Sequence, residues 1–116
     1  MNSEALKGHL DLLVLSVLAD GPLHGYALID ELRSRSGEVF DLAEGTVYPV
    51  LHRLELAGSL ESEWMVVAGR RRRSYRLTHS GGARLQHQRE TWNSFSSTVN
   101  SVLRSRPWPT TPSTTS

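Results

Sequence analysis

Along residues 5–19, apolar side chains recur at Leu6, Leu10, Leu13, Val14, Val17 and Leu18, the three- and four-residue steps of a helix. Leu12 and Leu15 widen this stripe, which predicts burial on more than one side. Asp20-Gly21-Pro22 ends the segment. A second helix is predicted from about His24 to Arg35, with Ala27, Leu28 and Leu32 facing the core, Tyr26 and Ile29 alongside, and Gly37 as the stop. Val39-Phe40-Asp41-Leu42 alternates and predicts a brief strand. A third helix is predicted from about Glu44 to Ala57, because Val47, Val50, Leu51 and Leu54 fall at i, i+3, i+4 and i+7. Pro49 sits in or just after its first turn, where a missing N–H costs little.

Leu60 to Val67 predicts a strand with Leu60, Ser62, Trp64 and Val66 on one face and Glu61, Glu63, Met65 and Val67 on the other. Ala68-Gly69 begins a tight connection, Arg70 to Arg73 are placed at its tip and the start of the return strand, and that strand runs on to Leu77. Thr78 is an expected N-cap for a last helix of about 26 residues, His79 to Arg104, roughly 39 Å long at 1.5 Å per residue. In it Leu85, Trp92, Phe95, Val99 and Val102 form an a/d seam, with Gln88 at the vacant position. Such a seam would be wet in a monomer, so these five residues are the predicted homodimer interface. Residues 105–116, rich in Pro, Thr and Ser, are expected to be disordered.

Three helices and a hairpin followed by a long helix predict a mainly α fold with a small β-hairpin. This is a winged helix-turn-helix over residues 1–78 with a C-terminal dimerisation helix over 79–104. In that architecture the third helix enters the major groove and the hairpin is the wing. The polar face of the helix carries Thr46, Tyr48, His52 and Arg53, and these four together with Pro49 are candidate DNA contacts. Arg70, Arg71, Arg72 and Arg73 are the candidate phosphate or minor-groove contacts, since four adjacent guanidinium groups repel one another without an anion.

Charge changes the picture only when divided along the chain. The formal total is +1, yet residues 1–69 hold four basic and eleven acidic side chains, while residues 70–116 hold nine arginines and one glutamate. That asymmetry favours a polyanionic partner. Without cysteine there is no disulfide framework and no thiolate metal site. The histidines show no ligand spacing, so no metal or cofactor is expected. The longest apolar run, Leu12–Ala19, is interrupted by Ser16 and falls well short of the ~20 residues of a membrane span, which predicts a cytoplasmic protein. No phosphate loop, no G-x-S-x-G and no paired carboxylates suggest an enzyme. The rival reading is a winged-helix protein–protein adaptor, which would bind DNA weakly and without site preference.

Several segments resemble one known family. They are Leu6-Lys7-Gly8-His9-Leu10-Asp11-Leu12-Leu13-Val14-Leu15, Gly21-Pro22-Leu23-His24-Gly25-Tyr26-Ala27-Leu28, Gly45-Thr46-Val47-Tyr48-Pro49-Val50-Leu51-His52-Arg53-Leu54-Glu55, and Arg72-Arg73-Ser74-Tyr75-Arg76-Leu77-Thr78 followed by Gly81 or Gly82. Together they are similar to PadR-family transcriptional regulators, over about residues 5–104, in the small-chain group with a single C-terminal helix. The resemblance implies a dimeric bacterial regulator, usually a repressor, on a pseudo-palindromic double-stranded operator. It implies DNA contacts from Thr46, Tyr48, Arg53 and the basic wing, and a backbone contact from Lys7. In some relatives interface aromatics line a pocket for a flat hydrophobic effector, and Trp92 and Phe95 are placed to resemble that. Plain interface core is the simpler role for both, and the ligand class stays open among a phenolic compound, a metal, a nucleotide and none. This chain departs from the family in its wing arginines, where a lysine or tyrosine is common, and in its Pro/Thr tail.

Overall fold

The computed structural model describes residue 6 and residues 8–104 of the 116-residue chain. The element order is α1 (Leu10–Leu18), β1 (Leu23–His24), α2 (Gly25–Arg35), α3 (Glu44–Leu56), β2 (Leu60–Val67), β3 (Arg70–Leu77) and α4 (His79–Leu103). The fold is mainly α with a small antiparallel sheet, a winged helix-turn-helix followed by a long helix. The predicted tail, residues 105–116, lies outside the described residues.

The apolar steps read from the sequence are the core. Leu10, Val14, Leu15, Val17 and Leu18 of α1 pack with Leu28, Ile29 and Leu32 of α2 and with Val47, Val50, Leu51 and Leu54 of α3. Leu60, Tyr75 and Leu85 close this cluster from the hairpin and α4. A turn interrupts the first apolar stripe. Gly8 and His9 form a turn, the His9 N–H donates to the Leu6 carbonyl at 2.8 Å, and α1 begins at Leu10. Leu6, itself helical, is buried in the same core, so the hydrophobic spacing continues across the Gly8-His9 turn.

The caps behave as their chemistry predicts. Thr78 Oγ1 accepts from the Gly81 N–H at 3.0 Å and donates to the Gly58 carbonyl at 2.6 Å, which fastens the start of α4 to the end of α3. Gly81 has no room for a side chain, because a Cβ there would overlap the Ser59 carbonyl. The less usual cap is His24, whose Nδ1 accepts from the Ala27 N–H at 3.3 Å at the start of α2.

The strand expected at Val39–Leu42 is absent, and the segment is irregular. Its alternation is real in one respect, since Phe40 and Leu42 pack against the core. However, the third strand of the sheet comes from another segment. Leu23 and His24 pair with Tyr75 and Ser74, so the sheet has the order β1-β3-β2. A two-residue strand is too short to show a period of two, which is why the sequence did not reveal it.

In the hairpin, Leu60 lies opposite Leu77 and Val67 opposite Arg70, with the predicted alternation of faces. Only Ala68 and Gly69 remain for the turn, at φ 51° and 78°. Positive φ at both central positions is the type I′ geometry, whose twist suits an antiparallel pair.

Candidate nucleic-acid interface

Helix α3 buries Val47, Val50, Leu51 and Leu54, so its other side must face outward. Pro49, His52 and Arg53 are exposed, while Thr46 and Tyr48 are half-buried. The five candidate contacts do not share one face. Tyr48 and Arg53 are five residues apart, about 140° around the axis at 3.6 residues per turn. Tyr48 leans over the start of α2, where a Cβ on Gly25 would collide with its phenol ring. Burial raises the Tyr48 hydroxyl pKa above its ordinary value, and the nearby Glu44 adds to this. Tyr26 is shifted the same way, first by a hydrogen bond with Glu44. Both phenols therefore stay protonated and able to donate near neutral pH.

Arg53 turns the other way. Its Nη1 and Nη2 donate to the two carboxylate oxygens of Asp11 at 2.9 and 2.5 Å. Arg84 of α4 donates to the same carboxylate at 3.1 Å. Asp11 thus joins α1, α3 and α4. The Arg53 hydrogen bond is the main cause that holds its carboxyl below the usual value, against the opposing effect of burial. Asp11 lies within the apolar stripe of α1, and its role is invisible in the sequence because Arg53 and Arg84 are distant along the chain.

The wing arginines occupy the return strand and not the tip, which is Ala68-Gly69. A four-residue basic run on a strand must split between two faces. Arg71 and Arg73 share the face of Trp64, with their guanidinium carbons 4.8 and 5.5 Å from its ring centroid. Arg70 and Arg72 take the other face, and Arg72 reaches within 5.9 Å of the Tyr26 ring centroid. Arg73 also donates to Ser62 Oγ at 2.8 Å and lies 3.4 Å from a Glu55 oxygen. Arg76 pairs with Glu61. Among the described residues, Arg70, Arg71 and Arg72 have no carboxylate within ion-pair distance. Once paired charges are set aside, five described arginines of the C-terminal portion remain, and three of them are consecutive on the wing while Arg89 and Arg104 lie apart on and after α4. The aromatic partners Trp64 and Tyr26 were not among the sequence candidates. Their signal was weak: one aromatic on an outward strand position and one beside a helix start. Lys7 lies outside the described residues.

Helix α4 divides at its middle. Leu85 belongs to the core of its own chain, which removes it from the predicted intersubunit seam. The step of seven from Leu85 to Trp92 crosses from the body of the domain to the unsupported part of the helix. There Trp92 is 40% exposed, Phe95 59% and Val102 78%, with Val99 half-buried. Trp92 meets the His9 ring edge-on at a centroid distance of 5.0 Å and Phe95 at 6.3 Å. These aromatics line a groove of about 610 Å³ between α1 and α4. Arg53, His87 and Gln88 also line it, and the Gln88 Oε1 is buried with no partner among the described residues. Among the described residues no cluster of three or more His, Cys, Asp or Glu is arranged to hold a metal. No helix among them is long and apolar enough to cross a membrane.

The comparisons agree with this geometry. Residues 14–87 match the description "Transcriptional regulator PadR-like family". The chain is 45% identical over 86 residues to transcriptional regulator Rv3488 of Mycobacterium tuberculosis, covering 74% of this chain and 78% of the relative. A PadR family transcriptional regulator from Eggerthella lenta superposes with a TM-score of 0.78 at 33% identity, covering 89% of this chain and 88% of that one. A transcriptional regulator from Clostridium thermocellum superposes with a TM-score of 0.80 at 27% identity, covering 87% and 99%. A winged helix with a basic wing, matched over most of its length at this identity, leaves one assignment: the chain belongs to the PadR-like family of transcriptional regulators.

Proposed function

We propose that the protein is a homodimeric repressor that binds a pseudo-palindromic operator at its own or neighbouring genes. Residues 1–78 form the DNA-binding unit and residues 79–104 the dimerisation helix. The observation that supports this reading is the run of three carboxylate-free arginines, Arg70 to Arg72, on the hairpin, of which Arg71 and Arg72 share a cleft with Tyr48 of α3. Arginines in that position suit backbone phosphates, whereas a helix in the major groove reads base edges. Thr46, Tyr48, Pro49 and His52 are assigned to the groove side. Arg53 is already engaged by Asp11 and is assigned to seating α3 against α1.

Dimerisation is supported by the unsupported half of α4. Burying Trp92, Phe95, Val99 and Val102 against a second copy would contribute several kcal/mol, at about 1.5–3 kcal/mol per large side chain. Two-fold symmetry then presents two α3 helices to half-sites about 34 Å apart.

A mobility-shift titration with the DNA upstream of the protein's own gene tests the reading. The expected result is a discrete complex at least about 10³-fold tighter than with unrelated duplex. Equal, weak binding to both duplexes would favour the adaptor instead. The groove beneath Trp92 and Phe95 supports a second element, release by a flat hydrophobic effector, since its size falls within the usual range for small-molecule sites. Quenching of tryptophan fluorescence by such a compound, together with loss of the DNA complex, is the expected signature.

A further inference from the structure

We propose that Trp64 is a positioning residue of the wing: its indole, packed also against Arg73, holds the Arg71 guanidinium group ready for a backbone phosphate of duplex DNA. This rests on the DNA-binding reading above and names how one part of that surface works. Trp64 is 56% exposed on the edge strand β2, so it adds little to the core. A large aromatic kept in that position needs a partner, and the two arginines on its own face of the hairpin supply it. Trp is the best aromatic partner for a cation, and about 6 Å from the ring centroid is the useful limit; both arginines are inside it.

The arrangement has a thermodynamic use. A long, free arginine loses rotamer freedom when it grips a phosphate. An arginine already stacked on an indole has lost much of that freedom before DNA arrives, and its N–H groups remain free at the rim. Arg73 is fixed further by Ser62 and by the Glu55 carboxylate 3.4 Å away, so its charge is already partnered, whereas among the described residues Arg71 has the ring alone and keeps its donors for an anion. The two arginines border a cleft of about 360 Å³ whose other walls include Tyr26, Tyr48 and Arg72. That cleft joins the wing to α3 through Tyr48. An anion seated there would be held by both DNA-reading elements at once. A phosphodiester fits the chemistry, with guanidinium donors for its oxygens and neutral phenols on the far side.

The test uses the full chain and a mixed-sequence duplex of about 30 base pairs, because a phosphate contact does not depend on sequence. Anisotropy titrations over a salt series are run on wild type, Trp64→Leu and Trp64→Phe, with thermal melts alongside. Trp64→Leu is expected to weaken binding about 5- to 20-fold and to lower the log K against log salt slope by about 1, with the melt nearly unchanged. Trp64→Phe retains a ring face and is expected within about 3-fold of wild type. The double variant supplies a check that folding defects do not mimic. Arg71→Gln should cost several-fold in wild type and less than about 2-fold in the Trp64→Leu background. The proposal is overturned if Trp64→Leu binds with wild-type affinity and slope, if Trp64→Phe is as weak as Trp64→Leu, or if the Arg71→Gln effect is the same in both backgrounds. Failure of wild type to bind any duplex would instead defeat the DNA-binding reading itself.

Discussion

Replacing Asp11 with asparagine should destabilise the whole domain, although Asp11 is not part of the apolar core. The carboxylate accepts two hydrogen bonds from Arg53 and one from Arg84, so a single side chain joins α1, α3 and α4. Hydrogen bonds to charged groups contribute about 1.5–3 kcal/mol when buried. Asp11 is only 21% exposed, but Arg53 is 56% and Arg84 34% exposed, so water screens the charges and partly takes the place of the carboxylate. The expected cost is therefore about 2 kcal/mol for the set rather than the sum of three full bonds. For a domain near 100 residues that is a fall of about 8–16 °C in Tm, measured at fixed protomer concentration.

The same substitution should remove a pH dependence. In the fold the Asp11 carboxyl is held below its ordinary 3.8. Its stabilisation is complete above that unfolded-state value and disappears as pH falls through the lower folded-state value. The gap between wild type and Asp11→Asn should accordingly be constant from pH 7 to about 5 and close at more acidic pH. Urea titrations at several pH values provide the measurement. A loss below about 0.5 kcal/mol at pH 7, or a gap that persists undiminished in acid, would refute the three-helix role of this carboxylate.

Four further outcomes are expected. Gly81→Ala should destabilise strongly because its Cβ would overlap the Ser59 carbonyl, whereas Gly82→Ala, where a Cβ meets only ordinary van der Waals contact, should be neutral or stabilise by up to about 1 kcal/mol; paired thermal melts compare them. Ala68→Asn should stabilise by about 0.5–1 kcal/mol, since asparagine tolerates the φ of 51° better than alanine does, and an unchanged or lower Tm would count against the I′ turn. Phe95→Glu with Val102→Glu should yield a folded monomer by sedimentation, because both side chains are exposed in one protomer; a variant that stays dimeric would exclude this seam. Replacing Arg70, Arg71 and Arg72 together with glutamine should lower the salt slope of DNA binding by about 0.9 for each phosphate these side chains neutralise, and an unchanged slope would mean that they face no DNA.

How much was legible in the chain follows from the range of each interaction. Buried positions of α1, α2 and α3 were readable because a helix face repeats locally, as Val47, Val50, Leu51 and Leu54 show. The faces of β2 followed from alternation and the Thr78 cap from one side chain and its own helix, whereas the arginines expected at the hairpin tip belong to β3. The errors lie where a partner is remote. Val39–Leu42 alternates like a strand, but the free edge of β3 went to Leu23 and His24. Leu85 fits the heptad of α4, but the step that continues into a seam begins beyond the domain core.

By itself the sequence determined the helices, the hairpin, the core and the concentration of positive charge on the wing, since each depends on periodicity or composition within a short window. Only the tertiary structure decided what individual charges do. It gave Arg53 and Arg84 to Asp11, Arg73 to Glu55, and two wing arginines to the face of Trp64. A charge acts over a few ångströms in space, and sequence distance says nothing about which carboxylate or ring will occupy them. The wing carries unpaired positive charge because of what its neighbours leave without a carboxylate, and that is a property of the folded chain.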